Sequence, residues 1–293
     1  MAAKANITTS ADIVFAREMD FVSRFGTSWR HLAEIMGIMR PIKKAPGTTL
    51  KSKTATVTLQ ESVAEGEEIP YSKADVTEKT YAEITIEKYA KGVTAEAISA
   101  HGYEAAVQMT DDAFLVELQK KVTKKFYTYL GTGTLTDTET SFQRALAMAK
   151  GAVINKFESM NKAASKVVGF ANIMDFYDYL GDKEITVQSE FGFNYLKNFL
   201  GYEVLFLLSD SELAQGKVIA TPSENIVLYY VDPEASDFAR AGLTFTVEGE
   251  TNLIGFHTEG NYKTMTSECF ALMGMVLFAE YLDGIAVYTI ETA

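Results

Sequence analysis

The hydrophobic rhythm of the chain changes several times, and each change marks an element. Over residues 10–25, Ile13, Val14, Met19, Phe21, Val22 and Phe25 follow helical spacing. Ser10 stands as N-cap, with Asp12 near the positive helix end. A second short helix is expected from Ser28 to Ile38, stopping before Pro41, with the single tryptophan, Trp29, at the junction. A short amphipathic helix needs a surface, either its own body or a neighbouring subunit. After a turn-rich, basic connector at Pro41–Gly47, Thr54–Gln60 alternates and is β-branched, which predicts a strand. Thr80–Tyr89 alternates again, with Tyr81, Glu83, Thr85, Glu87 and Tyr89 on one face. Between these strands, Glu65-Gly-Glu-Glu-Ile-Pro70 makes a tip: glycine permits a tight bend, proline blocks pairing, and the charges resist edge-to-edge association. Two strands and an acidic tip form a hairpin arm. A two-stranded ribbon is marginal in water, so a long arm gains most by lying on a partner.

Helical spacing then runs without a break from about Tyr103 to Leu130. Val107, Phe114, Leu118, Val122, Phe126 and Tyr129 form one stripe, with Leu115 beside it. At about 1.5 Å per residue this helix spans roughly 40 Å. Lys120, Lys121, Lys124 and Lys125 crowd its C-terminal turns, where cations suit the dipole, and Gly131-Thr-Gly-Thr134 closes it. Phe142, Leu146, Ala149, Val153 and Phe157 predict a second amphipathic helix. Apolar runs at Lys166–Phe170, Glu203–Leu208, Lys217–Thr221 and Asn225–Val231 predict buried strands, with short helices at Asn172–Leu180 and Asn194–Leu200. Continuous apolar strands imply a sheet covered on both faces. The end turns to β again, with strands at Leu243–Glu248, Phe270–Phe278 and Gly284–Ile290. These would give the long helix a sheet to lie on. The α/β unit then becomes an insertion between two halves of one discontinuous domain.

The chain has 293 residues and a net charge of −12, unevenly placed. Residues 1–60 carry nine basic and four acidic side chains, residues 61–112 four and twelve, residues 113–166 nine and four, and residues 167–293 five and nineteen. An acidic body disfavours tight wrapping of nucleic acid, which needs cations to replace phosphate counterions. Alternating blocks of sign help copies of one chain find each other in register, or serve as solvated surface. The N-terminus lacks an apolar stretch of signal-peptide length, and Cys269–Ala279 is too short to span a bilayer, so an intracellular product with no membrane partner is expected.

No constellation for chemistry emerges. His31, His101 and His257 are far apart and lack local metal-ligand neighbours, the lone Cys269 sits in an apolar run, and no HExxH, CxxC or GxSxG spacing occurs. Glu67 and Glu68 are adjacent on a loop, which is solvated charge in place of an acid/base pair. No catalytic residue, cofactor or metal is expected. The candidates are for contact between subunits: Glu65, Glu67, Glu68 and Lys73 near the tip, Trp29 in the first segment, and Lys43, Lys44, Lys120 and Lys124 in the basic blocks.

The order of parts, with Lys79-Thr-Tyr-Ala-Glu-Ile-Thr-Ile-Glu-Lys-Tyr-Ala-Lys-Gly92, Ile219–Pro233 and the Asp283-Gly-Ile285 close, resembles the major capsid proteins of tailed bacteriophages. The resemblance implies an α+β, Hong Kong 97-like fold. Its parts would be an N-terminal arm (1–47), an extended β-hairpin loop (48–92), a peripheral domain with a long spine helix (93–159), an inserted α/β axial domain (160–232) and a closing peripheral β segment (233–293). It implies self-assembly into pentamers and hexamers, an icosahedral virion shell around double-stranded DNA, and assembly in the bacterial cytoplasm. Expected partners are a scaffolding protein, a portal and, in some shells, a decoration protein. The chain opens with Met1 and reaches its arm at once, so a separate scaffold or a mature form is expected. Some such proteins cross-link a lysine to an asparagine; Lys73 lies near the tip, but no asparagine or glutamate is assigned to it. Two other readings are an encapsulin compartment of the same fold and a hydrolase built on residues 160–232.

Overall fold

The computed structural model describes residues 17–27, 41–181, 188–190, 193–247 and 253–291. Residues 17–27 are helical; the expected helix at Ser28–Ile38, and Trp29 with it, lies outside the described residues. Thr49–Thr58 pairs antiparallel with Lys73–Glu83, the register running from Thr49 opposite Glu83 to Thr58 opposite Lys73. This ribbon is the arm. Its base is pinned by hydrogen bonds from Gly47 N to Ile84 O and from Ile84 N to Thr48 O, and Ile84 is buried against Val231.

The expected strand Thr80–Tyr89 is divided there. Ile84 turns into the body, and Glu87–Thr94 begins a different sheet, antiparallel to Thr266–Met273, which pairs in turn with Ile254–Asn261. The expected strand Phe270–Phe278 is likewise divided at Gly274, where a Cβ would lie 2.9 Å from Val231. Its second half, Met275–Ala279, pairs with Ile226–Tyr230, which also takes Ile42–Lys43 as a short parallel neighbour. The expected strand Leu243–Glu248 reduces to one bridge, Thr246 with Phe256, with residue 248 outside the described set.

A short helix, Ala95–Tyr103, breaks at Gly102, whose φ of 81° is left-handed. The spine helix starts there, passes through a π-helical segment at Glu104–Gln108, and continues as Met109–Leu130. Leu115, Leu118, Val122, Phe126, Tyr127 and Leu130 are buried on it. They share one core with Phe256, Cys269, Ala271 and Met273 from the three-stranded sheet and with Phe170 and Phe206 from the α/β unit. The C-terminal end of the helix thus ties the two halves together, with Phe126 and Tyr127 each 5.7 Å from the Phe170 ring.

The α/β unit is a seven-stranded mixed sheet in the order Leu135–Glu139, Ala286–Ile290, Lys217–Pro222, Val167–Asn172, Val204–Leu208, Phe193–Lys197, Gln188–Glu190. Its strands alternate between two cores. Val168, Phe170, Phe206 and Ile219 face the spine helix. Ala171, Leu205, Val218 and Ala220 face the helix Phe142–Ser159. Both faces are covered, as continuous apolar strands require. The unit is larger than a contiguous insertion, because Leu135–Glu139 and Ala286–Ile290 from its two flanks join its sheet. Residues 194–200, expected as a helix, form the strand Phe193–Lys197 and a 3-10 turn. Asn198 and Leu200 have left-handed φ of 58° and 49°, which ends any helix, and Tyr195 and Leu196 are buried in opposite cores.

Candidate assembly surface

Three features stand out from the body: the docked N-terminal helix, the projecting arm, and a basic groove on the spine helix. The helix at 17–27 buries Phe21, Val22 and Phe25. Phe21 stacks on Phe256 with ring centroids 3.8 Å apart. Arg17 grips Asp111 of the spine helix through two nitrogens, one of them at 2.8 Å, and Arg24 reaches Asp112 at 2.9 Å. Asp111 also accepts from Lys91 at 2.5 Å. Burial opposes the Arg17 charge, but the bonds and charge of Asp111 win and raise its pKa. The Glu18 carboxylate accepts from Thr258 N, Thr258 Oγ1 and Thr246 Oγ1, which closes the outer edge of the three-stranded sheet. Of the two docking surfaces open to this helix from its sequence, its own body is the one it occupies.

The arm behaves oppositely. Val57, Leu59, Ile69, Tyr71 and Val76 are all exposed, Tyr71 at 97%. Glu65, Glu67 and Glu68 are exposed at the tip, where Glu67 Oε2 accepts from Ala64 N at 3.3 Å. Gly66 takes a φ of 88° in the bend. Lys73 forms an exposed ion pair with Asp75 at 2.8 Å. The acidic loop thus offers charge together with exposed isoleucine and tyrosine.

The basic candidates separate. Lys43 is engaged with Asp232, and that hydrogen bond raises its pKa. Lys44 lies 5.6 Å from the Tyr229 ring. Lys120 pairs with Glu117 at 2.8 Å on the surface, while Lys124 is exposed and makes no ion pair among the described residues. Lys120, Lys121 and Lys124 line a groove of about 590 Å³ whose apolar walls are Tyr89, Phe114 and Leu118. Lys121 sits 4.5 Å from the Tyr89 ring. The groove draws on three elements distant in sequence, so charge blocks alone do not reveal Tyr89 as part of it. Asp111, Arg17 and Glu18, which fasten the first helix, also carry no motif; the adjacent pair Asp111-Asp112 in the first turn of the helix is the one visible signal.

Among the described residues no group of three or more His, Cys, Asp or Glu is placed to hold a metal ion. None of the described helices is long and apolar enough to cross a membrane. Cys269 is buried, and burial with the charge of Asp111 pushes its thiol up to about 11, far from the range of a reactive thiolate.

No family model matches the sequence, and no curated protein matches it. Solved structures do. The chain is similar to the capsid of Cyanophage A-1(L), with a TM-score of 0.57 at 12% identity over 87% of this chain and 90% of that one. It is similar to the capsid of an empty GTA particle, at 0.54 and 7% identity over 86% and 88%. It is similar to a chain of Mycobacterium phage Patience, at 0.52 and 10% identity over 100% and 94%. With arm, spine helix, three-stranded sheet and covered α/β unit in one order, the chain has the Hong Kong 97-like capsid fold.

Proposed function

We propose that this protein is a shell subunit, the major capsid protein of a tailed bacteriophage, which assembles into pentamers and hexamers around double-stranded DNA. The observation that carries the reading is the arm. It is an exposed ribbon with an acidic, apolar tip, fixed at its base to a body of the capsid fold. Such a ribbon is marginal alone and becomes stable on a second copy. The resident location is the virion shell, built in the host cytoplasm with a scaffolding protein and closed at one vertex by a portal; some shells add a decoration protein. Each copy repels packaged phosphate through its net charge of −12.

Electron microscopy of the purified full chain, alone and co-expressed with its neighbouring genes, tests this. Closed shells or capsomers are expected. A strictly monomeric chain under both conditions overturns the reading, and particles filled with a protein cargo in place of DNA would redirect it to a compartment shell.

A further inference from the structure

We infer that the pocket between the spine helix and the fork at Gly274 is a binding site for a small, uncharged aromatic molecule. The fork creates the space. Met273 ends one strand, opposite Glu87 in the three-stranded sheet, and Met275 opens the next, opposite Tyr230 in a different sheet. Gly274 lets the chain pass tight against Val231, where a Cβ would lie 2.9 Å away. The spine helix crosses this fork and lines the pocket with Val122, Phe126 and Tyr129. One helix cannot pack fully on two sheets that part beneath it. A pocket of about 150 Å³ lies between its side chains and Leu228, Met273 and Met275. The site belongs to the single subunit, so it stands or falls apart from the shell reading.

Size and lining name the ligand. An apolar cavity of about 150 Å³ lined by leucine, isoleucine and phenylalanine takes benzene, and this pocket matches it in volume and in character. The two methionines suit an aromatic guest, since the thioether is polarisable and the side chain adapts to the outline of a ring. Tyr129 is a fixed wall, because its hydroxyl accepts from Ala279 N at 2.9 Å. Charge excludes the alternatives. Glu87 and Lys125 are the two charged residues of the lining, and they are ion-paired with each other. Glu87 also accepts from the Tyr89 hydroxyl. An anion would face Glu87 and a cation would face Lys125, so either must break the pair to gain a partner. Burial lowers the pKa of Lys125, consistent with a pocket already short of water. Lys125 is nevertheless the one exposed residue of the lining, so a neutral ring enters past its flexible stem. Once seated, the ring touches the spine helix and both sheets together, and it stabilises the folded chain in proportion to its occupancy.

Toluene, benzoate and benzylammonium share one ring and differ in charge, so together they test both size and charge. The melting temperature of the full chain is measured against each. Toluene is expected to raise it saturably, by about 2–5 °C once the site is mostly filled, while the two charged probes leave it within about 1 °C. V122F from the helix side and V276F from the sheet side each fill the pocket, and both are expected to abolish the toluene response. Methionine methyl NMR of the full chain reads the site directly, whether or not the filled variants fold. The signals of Met273 and Met275, identified by M273L and M275L, are expected to move with the same midpoint as the melting temperature, and those of the other methionines to stay in place. The absence of a saturable rise overturns the inference, as does an equal rise with either charged probe. A toluene response that survives in a folded filled variant, or methyl shifts that miss Met273 and Met275, would place the ring elsewhere and also overturns it.

Discussion

At the scale of single residues, the chain places its few buried charges where separate elements must be held together. Asp111 is the clearest. Its side chain is 10% exposed and serves Arg17 from the first helix and Lys91 from the strand after the arm. Removing it strands two largely buried cations. Asp111→Ala is expected to cost about 3–5 kcal/mol in urea unfolding, and more than Arg24→Ala, whose pair with Asp112 is surface-exposed. Equal losses from the two variants would remove the special role of Asp111. A second consequence follows from Cys269, held protonated by burial up to about 11 from an ordinary 9.0. Above pH 9 the unfolded chain has released this proton while the folded chain keeps it. Stability therefore falls as pH rises from about 9 through 11. Buried Tyr127 and Tyr202, both raised by desolvation, add to the same limb. Cys269→Ala should flatten the fall seen in unfolding curves between pH 8 and 11. An unchanged slope would mean that the thiol is not held protonated by the fold.

At the scale of elements, the arm and the body are separable in energy. The loop between the ribbon strands rests on its own atoms, such as Gln60 N to Ser72 Oγ at 3.2 Å and Glu67 N to Ala64 O at 3.2 Å. Replacing residues 62–70 with a short Asn-Gly turn should therefore leave the melting temperature within a few degrees, while abolishing shells seen by microscopy. A large drop in melting temperature would show that the tip braces its own body. Gly102→Ala is expected to cost about 1 kcal/mol or more, since alanine is strained at a φ of 81°. The elements differ in how much of themselves the sequence displays. The spine helix and the arm are visible in it, because their periodicity is long. The divisions at Ile84 and Gly274 are not, because an apolar run reads the same whether it stays in one sheet or crosses to another. Residues 194–200 mislead for a related reason: Tyr195 and Leu196 feed opposite cores, and the left-handed Asn198 and Leu200 are ordinary residue types. The site is half visible. Opposed charge blocks can be counted, but that Lys43 is taken by Asp232, 189 residues away, is a fact of the folded chain alone.

At the scale of the whole molecule, two electrostatic forces act on assembly and have different ranges. Every copy carries −12, which repels other copies at long distance. The acidic tip, Glu65, Glu67 and Glu68, would attract basic groups of another copy only when the two are nearly in contact. Salt separates the two. The Debye length falls from about 30 Å at 0.01 M to about 10 Å at 0.1 M and about 3 Å at 1 M. Moderate salt thus removes body-to-body repulsion while leaving a pair at contact distance partly intact; high salt weakens both. The expected rate of shell formation, followed by light scattering, first rises with salt, passes a maximum near 0.1–0.3 M, and then declines until hydrophobic contacts alone remain. Reversing the tip with E65K/E67K/E68K removes the attraction and lowers the repulsion together, so this variant should lack the decline at high salt. A wild-type rate that rises without limit would show that shielding of the acidic body governs assembly and that the tip contributes no measurable charge attraction. A rate that only falls would show the reverse: that contact attraction dominates even where −12 meets −12 unscreened.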